Sequence, residues 1–186
     1  MLATAGRTLR SAAMNKATLL YMIRIRAVRV EDAKGIVNVL NPLIRTGEST
    51  ALDRVFTVEE EQGFISAFPA RGVFHVAERA NDGVIVGFQN LEPFATYTDA
   101  FAHVGIIGTY VDPSGHRQGI GRLLFEATRL AAKEKGYEKF FAFARADNVA
   151  GLAFYKRIGF EVIGVAKRHA KIKGKYLDEV MIEMEI

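Results

Sequence analysis

The stretch Val111-Asp-Pro-Ser-Gly115-His-Arg-Gln-Gly119-Ile-Gly121-Arg-Leu-Leu124 decides the fold of this chain. It joins an apolar, β-rich run to a segment whose apolar residues recur at helical spacing. A turn that ends a strand and opens a helix presents backbone N–H groups without helical partners, and the helix dipole adds partial positive charge there. Its glycines let an anion approach those amides. We therefore expect this turn to bind a phosphate group.

The spacing of the glycines excludes two common phosphate-binding motifs. In a P-loop, Gly-Lys-Ser/Thr begins five residues after the first glycine, whereas Ile120 stands five residues after Gly115. A dinucleotide-binding fingerprint has its third glycine three residues after the second, whereas Leu124 follows Gly121 at that distance. The turn therefore needs another phosphate-containing ligand.

A second motif lies downstream, in Asp147-Asn-Val-Ala-Gly-Leu-Ala-Phe-Tyr155-Lys-Arg-Ile-Gly-Phe160. Asn148 opens a helix, Tyr155 follows seven residues later, and Gly159-Phe160 closes the helix. Both motifs, in this order and at this separation, resemble the GCN5-related N-acetyltransferases (GNAT family). The segment from Lys173 to Met184 resembles the closing strand of that family.

The resemblance covers about Met22 to Ile186 and is greatest, within the family, to the phosphinothricin-type acetyltransferases of small amines. The family's turn reads Arg or Gln, two residues, Gly, any residue, then Gly or Ala. Gly119-Ile-Gly121 fits this pattern, and His116 occupies the Arg/Gln position. The departure is mild, since backbone amides make most of that contact in the family.

The resemblance implies a single-domain α/β acyl-CoA N-acyltransferase fold, with a mixed central sheet of about seven strands and helices on both faces. The residue patterns predict a strand, two helices, three strands, a helix, a strand, a helix and two strands. Among these we expect a helix from Glu31 to Leu40 that ends at Asn41-Pro42, a strand from Phe101 to Val111 and a strand from Phe160 to Val165. The domain spans 22–186. Residues 1–21 form an N-terminal extension, either upstream of the true start or a targeting segment.

The resemblance also implies where acetyl-CoA binds. The backbone of Thr109, Tyr110 and Val111, opposite Phe141 and Phe143, would hydrogen-bond the pantetheine arm where two parallel strands splay apart. Amides of the turn would bind the diphosphate, from His116, Arg117, Gln118, Gly119, Ile120, Gly121 and Arg122. Asn148 either contacts CoA or only caps its own helix.

For catalysis, the resemblance implies that Tyr155 protonates the departing thiolate, the alternative being a ring that only packs. The general base is less defined, because the position that holds a glutamate in phosphinothricin-type enzymes is Ile106 here. Glu92, at the end of the preceding strand, and His103, at the start of this one, are the nearest titratable replacements. A water relay is equally compatible.

Two segments, Leu43–Phe56 and Leu91–Ala100, would select the acceptor. Arg45 or Arg54 could meet a substrate carboxylate and Glu48 an amine, although each also fits an ordinary solvated loop residue.

Composition narrows the function further. The chain has 186 residues, 49% of them apolar, and no cysteine, which excludes disulfides and thiolate catalysis. Its four histidines are scattered, so no metal site is expected. Most of the net charge of +4 comes from residues 1–30, so we expect no nucleic-acid binding. No apolar run is long enough to span a membrane, and a cytoplasmic location is expected.

The sequence therefore predicts an N-acetyltransferase that moves an acetyl group from acetyl-CoA, without a metal, directly to a primary amine of a small molecule. An amino acid or analogue, a polyamine and an antibiotic remain open as acceptors. A protein or peptide N-acetyltransferase and a non-catalytic acyl-CoA-binding module are the alternatives. A homodimer is common in the family.

Overall fold

The computed structural model describes residues 22–186. The predicted strands and helices occur in the predicted order. In that part of the chain the strands are β1 (Ile23–Ala27), β2 (Val73–Arg79), β3 (Ile85–Pro93), β4 (Val104–Val111), β5 (Lys139–Arg145), β6 (Glu161–Ile172) and β7 (Lys175–Glu185). The α-helices are α1 (Ala33–Thr46), α2 (Val58–Ser66), α3 (Ile120–Glu134) and α4 (Val149–Ile158).

The strands form one mixed sheet in the order β1-β2-β3-β4-β5-β7-β6. Every neighbouring pair is antiparallel except β4 and β5, which run parallel. Parallel pairing is limited to Val104–Ile106 against Lys139–Phe141, after which the two strands diverge. The sheet therefore opens between β4 and β5, toward the carboxyl end of both strands.

Helices cover both faces of the sheet, as predicted. On one face, α1 and α2 pack against β2 and β3 through residues such as Ile36, Phe74 and Phe88. On the other face, α3 and α4 pack over β3, β4 and β5 through residues such as Phe125 and Phe140. Each fully buried side chain of this size contributes about 1.5–3 kcal/mol to folding. We call these two sides the α1/α2 face and the α3/α4 face.

The prediction that the first helix ends at Asn41-Pro42 is wrong, because α1 continues to Thr46. Proline inside a helix lacks the N–H donor and costs about 3 kcal/mol. Continuation buries Leu43 and Ile44 in the core. The Asn41 side chain also bonds both backbone groups of Phe56, at 2.9 Å to its oxygen and 3.0 Å to its nitrogen. Tertiary contacts thus offset the local cost of Pro42.

Two predicted strands have different bounds. The strand before the phosphate turn begins at Val104 and not at Phe101, because residues 99–101 form a short 3-10 turn. The strand predicted to end at Val165 continues to Ile172 through a bulge. In that bulge Asp178 accepts a hydrogen bond from the Arg168 amide at 2.8 Å and pairs with Lys167 at 2.9 Å. These contacts keep the long strand attached to β7.

Local sequence signals also shape the fold. Thr57 and Glu60 form a capping box at the start of α2. Gly83, in the turn between β2 and β3, has a left-handed φ, and so does Gly136 just after α3. The predicted extension, residues 1–21, lies outside the described residues.

Candidate active site

The turn between β4 and α3 presents a row of backbone donors. Within residues 22–186, no protein group accepts a hydrogen bond from the N–H groups of residues 117–121. Arg117 and Gly119 have positive φ angles of 61° and 93°, and left-handed residues of this kind let successive backbone N–H groups form an anion-binding concavity. They meet the N-terminus of α3, where the helix dipole is positive. The arrangement is suited to a diphosphate.

Side chains hold the turn in shape. The His116 ring nitrogen Nε2 lies 3.0 Å from the Val111 carbonyl oxygen, at the end of β4. The Gln118 amide donates to the Ser114 carbonyl oxygen at 2.8 Å. A side chain at Gly121 would approach the Phe154 ring of α4 to 3.1 Å, so its glycine allows α3 and α4 to meet closely.

The opening between β4 and β5 adjoins this turn. Residues 107–111 of β4 pair with β3 along one edge, up to Val111 opposite Gly87, whereas their pairing with β5 stops at Ile106. Backbone groups along a strand edge of this kind form hydrogen bonds with an added extended chain. Thr109, Tyr110 and Val111 lie on this edge, with Phe141 and Phe143 on the β5 side.

Tyr155 of α4 reaches the opening from the α3/α4 face. Its hydroxyl lies 3.2 Å from the Thr109 Oγ1 atom. The side chain is buried, and burial raises the pKa of Tyr155 to about 12. The phenol is therefore protonated at neutral pH, as a proton donor must be.

Glu92 lies on the opposite face of the same strands. In the antiparallel register, Glu92 of β3 lies opposite Ile106 of β4. Its carboxylate accepts a hydrogen bond from the Asn90 amide at 3.3 Å. Burial raises the pKa of Glu92 above its usual value. The Asn90 oxygen Oδ1 is buried and has no hydrogen-bond partner among residues 22–186.

His103 lies farther from the opening. Its carbonyl oxygen accepts hydrogen bonds from the Glu138 and Lys139 amides, where β4 and β5 begin to run together. Thr109 follows six residues later, which in an extended strand is roughly 20 Å. The structure thus places Tyr155 and Glu92 on either side of the opening and His103 at the other end of β4.

Asn148 caps α4. Its Oδ1 atom accepts from the Gly151 amide at 2.9 Å, and its Nδ2 atom donates to the Ser49 carbonyl oxygen at 3.0 Å. The side chain therefore ties α4 to the segment after α1. A contact with CoA stays a prediction.

A row of aromatic rings borders the opening on the α1/α2 face. Neighbouring rings in this row have centroids 4.9–5.7 Å apart. The row, which we call the aromatic row, consists of Phe101, Phe94, Phe141, Phe143 and His169. Phe94, Phe101 and Phe143 are each about 40% exposed. A small apolar molecule could therefore rest on them.

The residues predicted to select the acceptor are spread over the segment after α1. Arg54 is exposed and forms an ion pair with Glu60 at 2.9 Å. Arg45 lines a cavity of about 290 Å³ between the end of α1 and the β6–β7 turn, together with Lys173. Glu48 is exposed nearby.

Comparison with known proteins decides the family. Residues 25–181 match the model of the acetyltransferase (GNAT) domain, which is most of the chain. The chain belongs to the GNAT acetyltransferase family. It is accordingly an acyl-CoA-dependent N-acetyltransferase, and acetyl-CoA is its co-substrate.

Two relatives of this GNAT enzyme match over nearly their whole length. Phosphinothricin N-acetyltransferase of Streptomyces coelicolor is 25% identical over 163 residues, covering 87% of this chain and 95% of the relative. L-methionine sulfoximine/L-methionine sulfone acetyltransferase of Pseudomonas paraeruginosa is 24% identical over 169 residues, covering 87% and 94%.

Solved structures show the same fold. The acetyltransferase yncA from Salmonella typhimurium, with its cofactor acetyl-CoA, superposes with a TM-score of 0.79 at 20% identity, covering 88% of this chain and 93% of the other. A GNAT superfamily phosphinothricin acetyltransferase from Sinorhizobium meliloti, in complex with acetyl-CoA, has a TM-score of 0.79 at 18% identity and covers 89% of each chain.

In the part of the GNAT chain that the structure describes, no three His, Asp or Glu side chains are grouped to hold a metal ion. Over the same residues, every helix is too short or too polar to cross a membrane.

The sequence analysis did not single out two buried charged residues, Arg145 and Glu61. Arg145 ends β5, is only 5% exposed, and binds Asp147 through two bonds of 2.8 and 2.7 Å. Its other arm donates to the carbonyl oxygens of Gly47 and Thr50, which fixes the segment after α1. Glu61 of α2 is buried, and burial raises its pKa to about 7. A charged residue ending an apolar strand was the available signal for Arg145.

Proposed function

We propose that this enzyme acetylates the primary amine of a small molecule by direct transfer within a ternary complex. The observation that carries the proposal is the position of Tyr155 and Glu92 on opposite faces of the sheet: Tyr155 contacts Thr109 of β4, and Glu92 of β3 lies opposite Ile106, where the pairing of β4 with β5 stops. An acid and a base so placed act on opposite sides of one thioester.

Acetyl-CoA binding combines two backbone surfaces in this proposal. The amides of residues 117–121 bind the diphosphate, and the free edge of Thr109 to Val111 binds the pantetheine amides. The thioester then lies in the opening beside Tyr155. Arg122 supplies further positive charge at the turn.

The acceptor amine must lose a proton before it attacks. A lysine-like amine with a pKa of ~10.4 is neutral in about 1 part in 10³ at pH 7, a deficit of ~4–5 kcal/mol. An α-amine with a pKa of ~8 requires only ~1–1.5 kcal/mol. Glu92 takes this proton, and the unpartnered Asn90 oxygen accepts a hydrogen bond from one of the two remaining N–H groups, which orients the lone pair.

The neutral amine then attacks the thioester carbon, a C–N bond forms, and the nitrogen releases its second proton to solvent water. As the tetrahedral intermediate collapses, the C–S bond breaks, the electron pair stays on sulfur, and Tyr155 donates its proton there. With a thiol pKa of ~8.5 and a phenol pKa of about 12, this transfer is uphill by roughly 5 kcal/mol in isolation. The phenolate therefore needs a hydrogen-bond donor.

The acceptor rests on the aromatic row. Relatives are named for acting on phosphinothricin and on methionine sulfoximine or sulfone, small molecules with an amino-acid framework. In this chain an amino acid or analogue would place its body against Phe141 and Phe143, with its amine toward Glu92. Arg45, which lines the cavity beside the β6–β7 turn together with Lys173 and Lys175, is our candidate partner for its carboxylate.

The test is CoA-thiol release from acetyl-CoA with a panel of amino acids, polyamines, aminoglycosides and peptides. We expect turnover with an amino acid or analogue and a loss of about tenfold or more in kcat for Tyr155→Phe. Turnover with peptides alone would indicate a peptide N-acetyltransferase. Binding of CoA without turnover of any amine would indicate a non-catalytic module.

A homodimer, a cytoplasmic location and the lack of nucleic-acid binding stay predictions. Sedimentation in solution tests the first of these.

A further inference from the structure

The Thr109 side chain links two buried polar groups at the opening. Gln89 of β3 and Thr109 of β4 are cross-strand partners on the α3/α4 face. The Gln89 amide nitrogen Nε2 donates to Thr109 Oγ1 at 2.7 Å, and the Tyr155 hydroxyl lies 3.2 Å from the same atom. Thr109 thus stands between a fixed donor and the phenol.

Gln89 makes an unusual contact for a core residue. It is fully buried, and its Oε1 atom has no hydrogen-bond partner within residues 22–186. A buried amide with an unsatisfied oxygen is unfavourable, and an apolar side chain of the same size would avoid that cost. What the amide supplies here is the N–H that it donates to Thr109.

The Thr109 hydroxyl can take either of two hydrogen-bond arrangements with the phenol. A hydroxyl offers two lone pairs and one proton, and a Gln89 N–H can only donate, so it occupies one lone pair. Either the phenol donates to the other lone pair, or Thr109 turns its own O–H toward the phenol oxygen. In the second arrangement the Tyr155 proton is free to move to sulfur.

We propose that Thr109, held by Gln89, is a positioning residue that aims the Tyr155 phenol and donates a hydrogen bond to the phenolate oxygen as the proton moves to the CoA sulfur. This inference rests on the proposed function. The Thr109 O–H bond stays intact throughout. The phenolate regains its proton from water before the next turnover.

The experiment is a double-mutant cycle. Thr109→Val removes the hydroxyl and keeps the shape of the side chain, and it is measured alone and with Tyr155→Phe. We expect Thr109→Val to lower kcat about tenfold, the order of one hydrogen bond to a charged group, with KM for acetyl-CoA changed less than twofold. In the Tyr155→Phe background the same change should have no further effect on kcat.

Two further variants test the geometry. Thr109→Ser retains the hydroxyl and should recover kcat to within about threefold of the wild type. Gln89→Met removes the N–H donor while keeping the bulk, and should lower kcat severalfold without affecting the Tyr155→Phe enzyme. Thermal melting of each variant separates loss of folding from loss of rate.

The possible outcomes separate a failure of this inference from a failure of the proposed function. An equal loss in both backgrounds would assign Thr109 a merely structural role and overturn the inference, as would wild-type kcat for Thr109→Val. Wild-type kcat for Tyr155→Phe would remove the proton donor itself and the inference with it. A wild-type enzyme that turns over no amine would overturn the proposed function instead.

Discussion

Glu92 of β3 and Ile106 of β4 lie directly opposite each other in the antiparallel register. The resemblance to phosphinothricin-type enzymes implies a glutamate at the position that Ile106 occupies here. Facing residues on neighbouring strands have Cβ atoms about 4.5–5.5 Å apart. We therefore propose Glu92, one strand away on the same face of the sheet, as the substitute for the carboxylate that β4 lacks.

Replacement of Glu92 tests this role directly. We expect Glu92→Gln to lower kcat/KM for the amine by about 100-fold, the lower end for loss of a general base. Because burial raises the pKa of Glu92, the wild-type rate should rise with pH as this carboxyl ionises, and the variant should lack that rise. The measurement is the pH dependence of kcat/KM.

Glu61→Gln is the matched control, since Glu61 of α2 is a buried carboxyl on the same α1/α2 face that Glu92 faces. It should leave kcat/KM within about threefold of the wild type. If it removed the rate and Glu92→Gln did not, Glu61 would be the base.

Glu61 also makes stability depend on pH. Its pKa is about 7 in the folded protein and 4.5 as an unperturbed carboxyl, so the folded state binds the proton more tightly. The stability that protonated Glu61 contributes to the folded protein is fully present below pH 4.5 and is lost as the pH rises through 7. Glu61→Gln should therefore gain roughly 2–3 kcal/mol over the wild type at pH 8 and little at pH 5. Urea unfolding at both pH values measures it, and an equal gain at both would contradict the assignment.

Replacement of Gly119 tests whether the backbone amides of the turn bind CoA. Gly119→Ala places a side chain at a φ of 93°, next to the turn amides. It should destabilise the fold by about 1 kcal/mol and weaken CoA binding at least tenfold, because the amides of residues 117–121 shift. Calorimetric titration with CoA measures the affinity.

Gly136→Ala is the control for that variant. Gly136 also has a positive φ, 79°, and a Cβ there meets nothing within 4 Å. It should show a similar loss of stability with unchanged CoA affinity. Equal affinities in the two variants would mean that the turn does not bind CoA.

Replacement of Arg145 should lower the stability of the fold and weaken binding of the acceptor amine. Arg145→Met removes the bonds to Asp147, Gly47 and Thr50, and we expect a loss of about 3 kcal/mol with a higher KM for the amine. Asp147→Asn, which keeps the carbonyl contacts of Arg145, should cost less than half as much. Unfolding and steady-state kinetics together provide the comparison, and equal costs would show that the carbonyl contacts contribute nothing.

Much of the fold could be predicted because its signals are local. The capping box at Thr57, the turn at Gly83 and the glycines at 119 and 121 each depend on a few consecutive residues. The helix end predicted at Asn41-Pro42 was wrong because the contacts that stabilise α1 beyond Pro42 are not local. They come from Phe56 and from the core.

The same contrast between local signals and contacts distant in sequence holds for the site. Tyr155 and the turn belong to motifs that can be read along the chain. Arg145 was missed because its partners Gly47 and Thr50 lie 98 and 95 residues away in sequence. The Thr109 hydroxyl was missed likewise, because its contacts with Gln89 and Tyr155 arise only when the sheet and α4 come together.

The most direct test concerns the five backbone amides of residues 117–121. Amide NMR and hydrogen exchange, recorded with and without CoA, report on each of them individually. The account predicts that their resonances shift on addition of CoA and that their exchange slows at least tenfold, while those of the turn at residues 81–83 stay unchanged. If CoA binds, as shown by shifts elsewhere, and these five amides neither shift nor become protected, the diphosphate lies in another place and the account is contradicted.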